Sequence, residues 1–192
     1  MKKNMFAKIG SIVIAATVIV AMGGGVSKAH DKSIKYQATC SGSYTNDPNF
    51  SYDGEPNNPL SLGNLSGHDN IEGNFVAQDY TEDALTSSGT CTAPDGTPGT
   101  DYPLVADNQI NTYPSGDQLY LSFTTGNICL SNTTGSYGGA EDGTVIGGAG
   151  KLAKASGPIH ESYVGVDISV PKSPGFGYIS PEQETITGTV TQ

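Results

Sequence analysis

The chain has 192 residues, of which 26 are Gly, 11 are Pro and none is Trp, and charged residues make up 15% of it. The Gly residues follow no three-residue period, which excludes collagen, and the composition is equally unlike an Ala/Glu/Lys/Leu-rich helical bundle. The 19 acidic residues outnumber 9 Lys, no Arg is present, and the formal net charge is −10. Because phosphate backbones and anionic headgroups are bound through clustered Lys and Arg, we expect no nucleic-acid partner.

Residues 1–29 predict a secretory signal peptide. Met1–Lys8 is basic, and the apolar run Ile9–Met22 is shorter than the roughly 20 residues that span a bilayer. Ser27 and Ala29 occupy the positions that signal peptidase recognises. Cleavage after Ala29 predicts a secreted chain, extracellular or periplasmic, with no membrane span. The short, Lys-rich, Arg-free signal is typical of a bacterium.

The mature chain divides into an arm and a domain. Residues 46–64 are dense in turn-forming residues and show no usable periodicity, so we interpret them as a long loop. Residues 30–66 are therefore predicted to form an irregular N-terminal arm with a first strand, and residues 67–192 a β-barrel domain.

Short segments with an apolar residue at every second position follow the arm. This period is typical of half-buried strands, and turn sequences separate the segments at the spacing of a sandwich or barrel. In Val164–Val170 we expect the apolar face to meet a core and the other face to meet water or a polar lumen. The apolar positions are Ile71, Phe75 and Ala77; Leu104, Ala106 and Ile110; Leu119, Leu121 and Phe123; Val164, Val166, Ile168 and Val170; and Ile186 and Val190.

Three cysteines follow the predicted cleavage site, and an exported chain meets oxidising conditions in which one pair normally closes. The loop entropies of the three possible pairings all correspond to about 4 kcal/mol, so loop length does not choose between them. We favour a disulfide between Cys91 and Cys129, because both lie in strand-like segments. Cys40 lies near a terminus that can fray.

The most distinctive stretch is Val145–Gly157, with the sequence VIGGAGKLAKASG. It predicts a strand end, then a tight turn in which several Gly can adopt positive φ, then the start of the next strand. Leu152 is the large apolar residue within the turn, and we expect it to plug one end of the core. The structural turn motif consists of Gly147, Gly148, Gly150, Leu152 and Gly157.

This stretch resembles the GGTGKFxxAxG signature of the allene oxide cyclase and dirigent-like β-barrels, which include secreted bacterial members. Ala149 stands for Thr, Leu152 for Phe and Ser156 for an Arg common in plant dirigents. The resemblance extends over residues 70–192 and implies a closed antiparallel, calycin-like barrel of about eight strands with room for one small ligand. It transfers no active site, because the matched positions belong to a turn.

Two groups of residues have the composition of metal ligands. His30 would begin the mature chain and, with His68 or His160, resembles a copper-binding pair, although an exposed terminal His is the simpler explanation. The stretch Asp53–Asn57 places oxygen ligands at alternate positions, as calcium loops do, but departs from the EF-hand spacing. We therefore predict neither a metal nor another cofactor.

Acidic residues cluster in two further places, at Asp79, Glu82 and Asp83 and at Glu141 and Asp142. Paired carboxylates can perform acid/base chemistry, but no sequence pattern brings these together. We interpret them as solvated turns. No nucleophile motif is present, and we name no catalytic residue.

These observations favour a secreted, non-enzymatic barrel with a binding or structural role and room for a small apolar molecule. One alternative is an enzyme similar to allene oxide cyclase, which requires an open lumen lined by aromatic side chains and one or two convergent acids. The other is a dirigent-like guide acting on a small hydrophobic substrate, as a homo-oligomer. A filled barrel interior would exclude both alternatives.

Overall fold

The computed structural model describes residues 32–47, 60–84, 86–173 and 176–192. The predicted signal peptide, His30 and the oxygen-rich stretch at residues 53–57 lie outside the described residues. Within the described part of the chain, no helix is long and apolar enough to cross a membrane.

Eight strands form a closed antiparallel barrel in the order β1-β2-β3-β5-β6-β7-β8-β10, and β10 pairs with β1 to close it. The short strands β4 and β9 lie beside this cylinder and pair with β5 and β10. The predicted all-β, eight-stranded antiparallel barrel is thereby confirmed. The strands are β1 (Ser33–Asp47), β2 (Leu60–Asp69), β3 (Asn74–Asp83), β4 (Gly89–Thr92), β5 (Pro98–Thr112), β6 (Gln118–Ser131), β7 (Ser136–Ala149), β8 (Gly157–Val166), β9 (Ile168–Ser173) and β10 (Phe176–Thr191).

The first strand that was expected within residues 30–66 is β1, and it is part of the barrel wall. Strand β1 pairs with β10 from Ser33 opposite Thr191 to Thr45 opposite Ile179. Residues 60–64, which were expected to lie in the loop, belong to β2. The inward positions of this region include small and polar residues, so its two-residue period is weak in the sequence even though its backbone pairs fully.

The interior is packed with apolar side chains at one end of the barrel, which we call the Leu152 end. The β2–β3, β5–β6 and β7–β8 turns all lie at this end. Burial of these side chains supplies the main driving force for folding. They include Tyr36, Ala38, Phe75, Leu119, Leu121, Val145, Leu152, Ile159, Ile186 and Val190.

The turn motif forms the corner between β7 and β8, where Gly150–Leu152 makes one turn of 3-10 helix. Gly150 has φ of +63°, and a Cβ there would overlap the Asp117 carboxylate. That carboxylate accepts a hydrogen bond from the Lys151 backbone N–H at 3.0 Å, which holds the pKa of Asp117 below its ordinary value. The corner delivers Leu152, only 1% exposed, into the core.

A disulfide joins Cys91 on β4 to Cys129 on β6, which confirms the favoured pairing. It attaches the short strand β4 to the barrel wall. Cys40 is a free thiol and lies buried inside the barrel on β1.

The expected orientation of β8 is wrong. Val164 and Val166 on β8 and Ile168 at the start of β9 are 49%, 38% and 50% exposed, so the apolar face of this segment points outward. The side chain of Val170, the fourth apolar position, lies outside the described side chains. The other face of β8, which was expected to meet water or a polar lumen, points inward with Glu161 and Tyr163. It therefore meets a polar lumen.

Candidate functional site

The barrel interior changes from apolar to acidic along its axis. From the C-terminal end of β10 toward its start, the inward residues change from Val190 and Ile186 to Glu184 and Glu182, and all four are buried. The same change occurs on β8 between Ile159 and Glu161. Strands β3, β5 and β7 add the buried carboxyl groups of Asp79, Asp107 and Glu141, so one end of the lumen, which we call the acidic end, collects carboxylates from five strands.

A cavity of about 210 Å³ opens at the acidic end. At about 30 Å³ per water molecule, it has room for roughly seven waters or one small organic molecule. Its wall combines aromatic and aliphatic side chains with carboxyl groups. The lining residues are Tyr44, Ser61, Thr81, Asp83, Ala84, Tyr102, Asp107, Ile128, Leu130, Tyr137, Glu141, Glu161, Tyr163, Asp167, Ser180 and Glu182.

Several of these carboxylates have buried oxygens that accept no hydrogen bond. Neither oxygen of Glu141 accepts a hydrogen bond of regular geometry, although the Tyr163 hydroxyl lies nearby and donates to the Asn127 carbonyl oxygen instead. One oxygen each of Asp83, Asp107 and Glu161 also has no donor. Asp79, just beyond the cavity wall, also has one such oxygen. A buried carboxylate without partners is costly, because it has lost its hydration without replacement.

Asp69, at the opposite end of the barrel, shows how this fold satisfies a buried carboxylate. Its Oδ1 accepts hydrogen bonds from the backbone N–H groups of Ile71, Glu72 and Gly73 at 2.9, 3.0 and 3.2 Å. The hydroxyl of Tyr113 donates to its Oδ2. Among the described carboxylates, the unpaired oxygens lie toward the acidic end, whereas the amide oxygens of Gln109 and Asn111, farther along β5, also lack donors.

Two glutamates near the cavity floor are held by tyrosines. The Tyr137 hydroxyl donates to Glu182 Oε2 at 2.6 Å, and the Tyr44 hydroxyl donates to Glu184 Oε1 at 2.7 Å. The Cys40 thiol donates to the other oxygen of Glu184 at 2.9 Å. These donors fix the orientation of both carboxylates.

Glycines make room for two of the cavity tyrosines. A Cβ at Gly165 would overlap the Tyr137 ring, and a Cβ at Gly139 would overlap the ring of Tyr163. Both glycines are on strands that neighbour the tyrosine. Their missing side chains let each ring lie flat against the barrel wall with its hydroxyl inside.

The electrostatics of the acidic end favour the protonated form of several acids. Burial, with the charge of Glu184 added, raises the pKa of Asp79 to about 7. Burial and the charge of Glu82 raise the pKa of Asp83 to about 7, and burial and the charge of Asp83 raise the pKa of Glu141 to about 8. Desolvation also raises the pKa values of Asp107, Glu161, Glu182 and Glu184.

No basic side chain lines the cavity among the side chains that the structure describes. The carboxylates consequently have no protein cation to compensate them in this part of the molecule. A cluster of this kind can take up protons, hold a cationic ligand, or donate a proton to a bound substrate.

The interpretation of the acidic clusters as solvated turns is wrong for Asp79, Glu82 and Glu141, which are all at most 1% exposed. It is also wrong for Asp83, which is partly buried at the end of β3 and lines the cavity. Asp142 is solvated as expected, but it lies within strand β7 and not in a turn, and it contacts His160 Nδ1 at 2.8 Å. His68 is also exposed and contacts Asn74 Oδ1 at 3.0 Å.

Sequence reasoning missed Asp107, Glu161, Glu182 and Glu184 as site residues. A signal was present for three of them. Glu161 lies two residues after buried Ile159, and Glu184 and Glu182 lie two and four residues before buried Ile186, so they share the inward face of their strands.

In comparisons with known proteins, no family model matches the chain, and neither a curated protein nor a solved structure matches it. The fold and the site define its class in structural terms: a closed eight-stranded antiparallel barrel, apolar at one end and acidic at the other, with a cavity at the acidic end.

Proposed function

We propose that this chain is a secreted, non-enzymatic binding protein that takes up a small organic cation, an amine with an apolar body, in the cavity at the acidic end. The observation that supports this most directly is the set of donor-free carboxylate oxygens on Asp83, Asp107 and Glu141, in a cavity without a described basic side chain. An ammonium group supplies both the hydrogen-bond donors and the positive charge that these oxygens lack.

The rest of the wall suits the apolar part of such a ligand. Tyr102, Ile128, Leu130 and Tyr163 line the same cavity. Aromatic faces attract cations by an additional 0.5–2 kcal/mol or so when the contact is desolvated. This proposal differs from the purely apolar ligand expected from the sequence, because a neutral apolar molecule would leave the buried carboxylates uncompensated.

Secretion is part of the proposal and is supported by two features. The N-terminal segment has the pattern of a signal peptide, and the disulfide between Cys91 and Cys129 is of the kind that forms in oxidising compartments. The likeness to allene oxide cyclase and dirigent-like barrels remains a proposal about ancestry, supported by the corner motif and the eight-stranded closure.

The binding proposal is tested by thermal unfolding of the mature protein in EDTA with three matched probes. Phenethylamine is expected to raise the melting temperature in a concentration-dependent way, because a ligand that binds only the folded state stabilises it. Phenethyl alcohol and phenylacetate, which have nearly the same shape without the positive charge, are expected to leave it unchanged. Equal stabilisation by all three, or by none, would contradict the proposal.

A variant pair assigns the effect to the cavity. Glu141→Gln keeps the size of the side chain and removes its charge, and we expect it to weaken amine binding by about tenfold, or 1.4 kcal/mol. Asp142→Asn removes the neighbouring acid, which is on the outer surface, and is expected to leave binding unchanged. Isothermal titration calorimetry measures both.

A second candidate is an acid/base enzyme acting on a small hydrophobic substrate, as the alternative from the sequence requires. It is favoured by the open cavity with aromatic walls and by Asp83 and Glu141, whose pKa values of about 7 and 8 suit proton transfer near neutral pH. The interior is filled at the Leu152 end only. Turnover of a bound hydrophobic epoxide or enone, lost in Glu141→Gln, would favour this candidate over simple binding.

A further inference from the structure

Three glutamates converge at the floor of the acidic end. Glu161 on β8 and Glu182 and Glu184 on β10 each present a carboxylate oxygen, and these three oxygens all lie within 4.8 Å of one another. Their strands are neighbours in the barrel, and Glu182 and Glu184 are successive inward residues of β10. We infer that this glutamate trio is a binding site for a divalent metal ion of the calcium type.

A second observation points to a ligand at the trio. Glu161 is only 2% exposed, and its Oε2 accepts no hydrogen bond. Directly opposite it on β7 is Glu141, whose two oxygens also lack donors. Glu161 Oε2 and the two oxygens of Glu141 are therefore open acceptor positions, which a bound cation would fill.

The trio also has the supporting hydrogen bonds that metal sites use to orient their ligands. Tyr137 donates to Glu182, and Tyr44 and Cys40 donate to Glu184. Each donor occupies one lone pair and holds the carboxylate in place, and an oxygen lone pair on each carboxylate is left for a metal. Glu161, which has no such donor on Oε2, completes the set.

The ligand chemistry selects the class of metal. The donors are carboxylate oxygens, which suit Ca²⁺, Mg²⁺ and Mn²⁺ and not the softer metals. Ca²⁺ bonds oxygen at 2.3–2.6 Å, so two of its ligands are at most about 5 Å apart. Three oxygens spaced evenly around one Ca²⁺ at these bond lengths are at most about 4.5 Å apart. The three oxygens here, all within 4.8 Å of one another, are therefore close to that spacing, and small side-chain rotations bring them onto one ion. The adjoining cavity has room for the water molecules that would fill the remaining coordination positions.

The absence of Trp provides a direct test, because Tb³⁺ substitutes for Ca²⁺ and its luminescence is sensitised by nearby phenol rings. Mature protein treated with a chelator and then freed of it is titrated with Tb³⁺ under tyrosine excitation. We expect saturable luminescence, since Tyr44 and Tyr137 contact the proposed ligands, and we expect added Ca²⁺ to displace the signal. Absence of luminescence, or luminescence that Ca²⁺ does not displace, overturns the inference.

Matched variants locate the site. Glu161→Gln is expected to weaken Tb³⁺ affinity by more than about tenfold, and Tyr137→Phe, which keeps all three carboxylates, by about tenfold. Glu72→Gln removes a glutamate charge at the Leu152 end and is expected to leave the affinity unchanged. Circular dichroism verifies that each variant folds. Equal affinity in Glu161→Gln and the parent protein overturns the assignment.

The metal inference does not rest on the amine proposal. Amine binding is measured in EDTA and depends on Glu141, whereas metal binding is measured without amine and depends on Glu161. The two proposals therefore fail on separate measurements.

Discussion

Glu141 on β7 and Glu161 on β8 lie directly opposite each other, and both side chains point into the barrel, where they are 1% and 2% exposed. Like charges at directly opposed positions of an antiparallel pair destabilise a sheet. Here the repulsion is increased by burial, which weakens solvent screening. A proton or another cation between the two carboxylates would remove this repulsion.

Removal of one member of this pair is expected to stabilise the empty barrel. Glu141→Gln eliminates a buried charge, and its new amide can donate to neighbouring carboxylates. In EDTA at pH 8 we expect the free energy of unfolding to rise by an amount on the order of 2 kcal/mol, and at pH 5, where Glu141 is already protonated, to change little. Urea unfolding at the two pH values measures the difference, with Asp142→Asn as the control on the outer surface. A loss of stability at pH 8 would contradict the prediction.

The stability of the empty protein should fall as the pH rises from about 5 to 8. The folded-state pKa values of Asp79 and Asp83 are about 7 and that of Glu141 is about 8, all above their unfolded values near 4. The folded protein therefore binds protons that the unfolded chain has released, and their stabilising contribution is lost as the pH passes through the folded pKa values.

Each such group contributes a slope of up to about 1.4 kcal/mol per pH unit. Urea unfolding in EDTA at pH 5, 6, 7 and 8 gives the slope directly. A stability that is constant or rises over this range would show that these acids are ionised without cost, which would remove the electrostatic basis of the proposed site.

Leu152 should be among the most sensitive positions of the Leu152 end. It is 1% exposed and closes the core from the corner turn, so Leu152→Ala leaves a cavity and is expected to cost about 3 kcal/mol. Ile146, six residues earlier and 62% exposed, is the matched control, and Ile146→Ala is expected to change stability by less than about 0.5 kcal/mol. Similar losses for both variants in denaturant unfolding would contradict the described packing.

The three cysteines should behave differently toward thiol reagents. Burial raises the pKa of the Cys40 thiol, so the folded protein is expected not to react, and one thiol should react after unfolding without reductant. Opening the disulfide by replacing Cys91 and Cys129 with Ser frees a loop of 38 residues and is expected to cost about 4 kcal/mol. Two or three reactive thiols in the unfolded, unreduced protein would contradict the pairing.

The sequence predicted the strands better than it predicted their inner faces. Alternation located Phe75, Ala77, Leu119 and Leu121 correctly, because the inward residues of β3 and β6 toward the Leu152 end are apolar. On β5 it selected the wrong face, since the buried residues there are Asp107, Gln109 and Asn111 and not Ala106 and Ile110. It failed at the acidic end of β8, where the apolar residues face outward. An alternating pattern shows that a strand has two unlike faces, but the inner face is the apolar one only where the interior is a packed core.

The candidate site was missed for the same reason. Glu161, Glu182 and Glu184 come from two strands, and the closure of the barrel brings them together. Their proximity depends on the register between strands, which cannot be predicted from a single sequence of this kind. The sequence does contain one signal: each of these acids lies two or four residues from a buried apolar residue on its own strand, and therefore on the same face of that strand.

Because the apolar and the acidic side chains lie at different ends of the lumen, stability and ligand binding depend on different residues. The corner turn, the satisfied Asp69 and the packed residues around Leu152 account for cohesion, whereas the carboxylates toward the other opening add little to it. In a barrel with the same Leu152 end, amides, bases or aromatic residues can replace the acids of the acidic end with little loss of folding stability. The architecture is thus suited to diversification, because substitutions at the acidic end change which ligand can bind without disturbing the packed core.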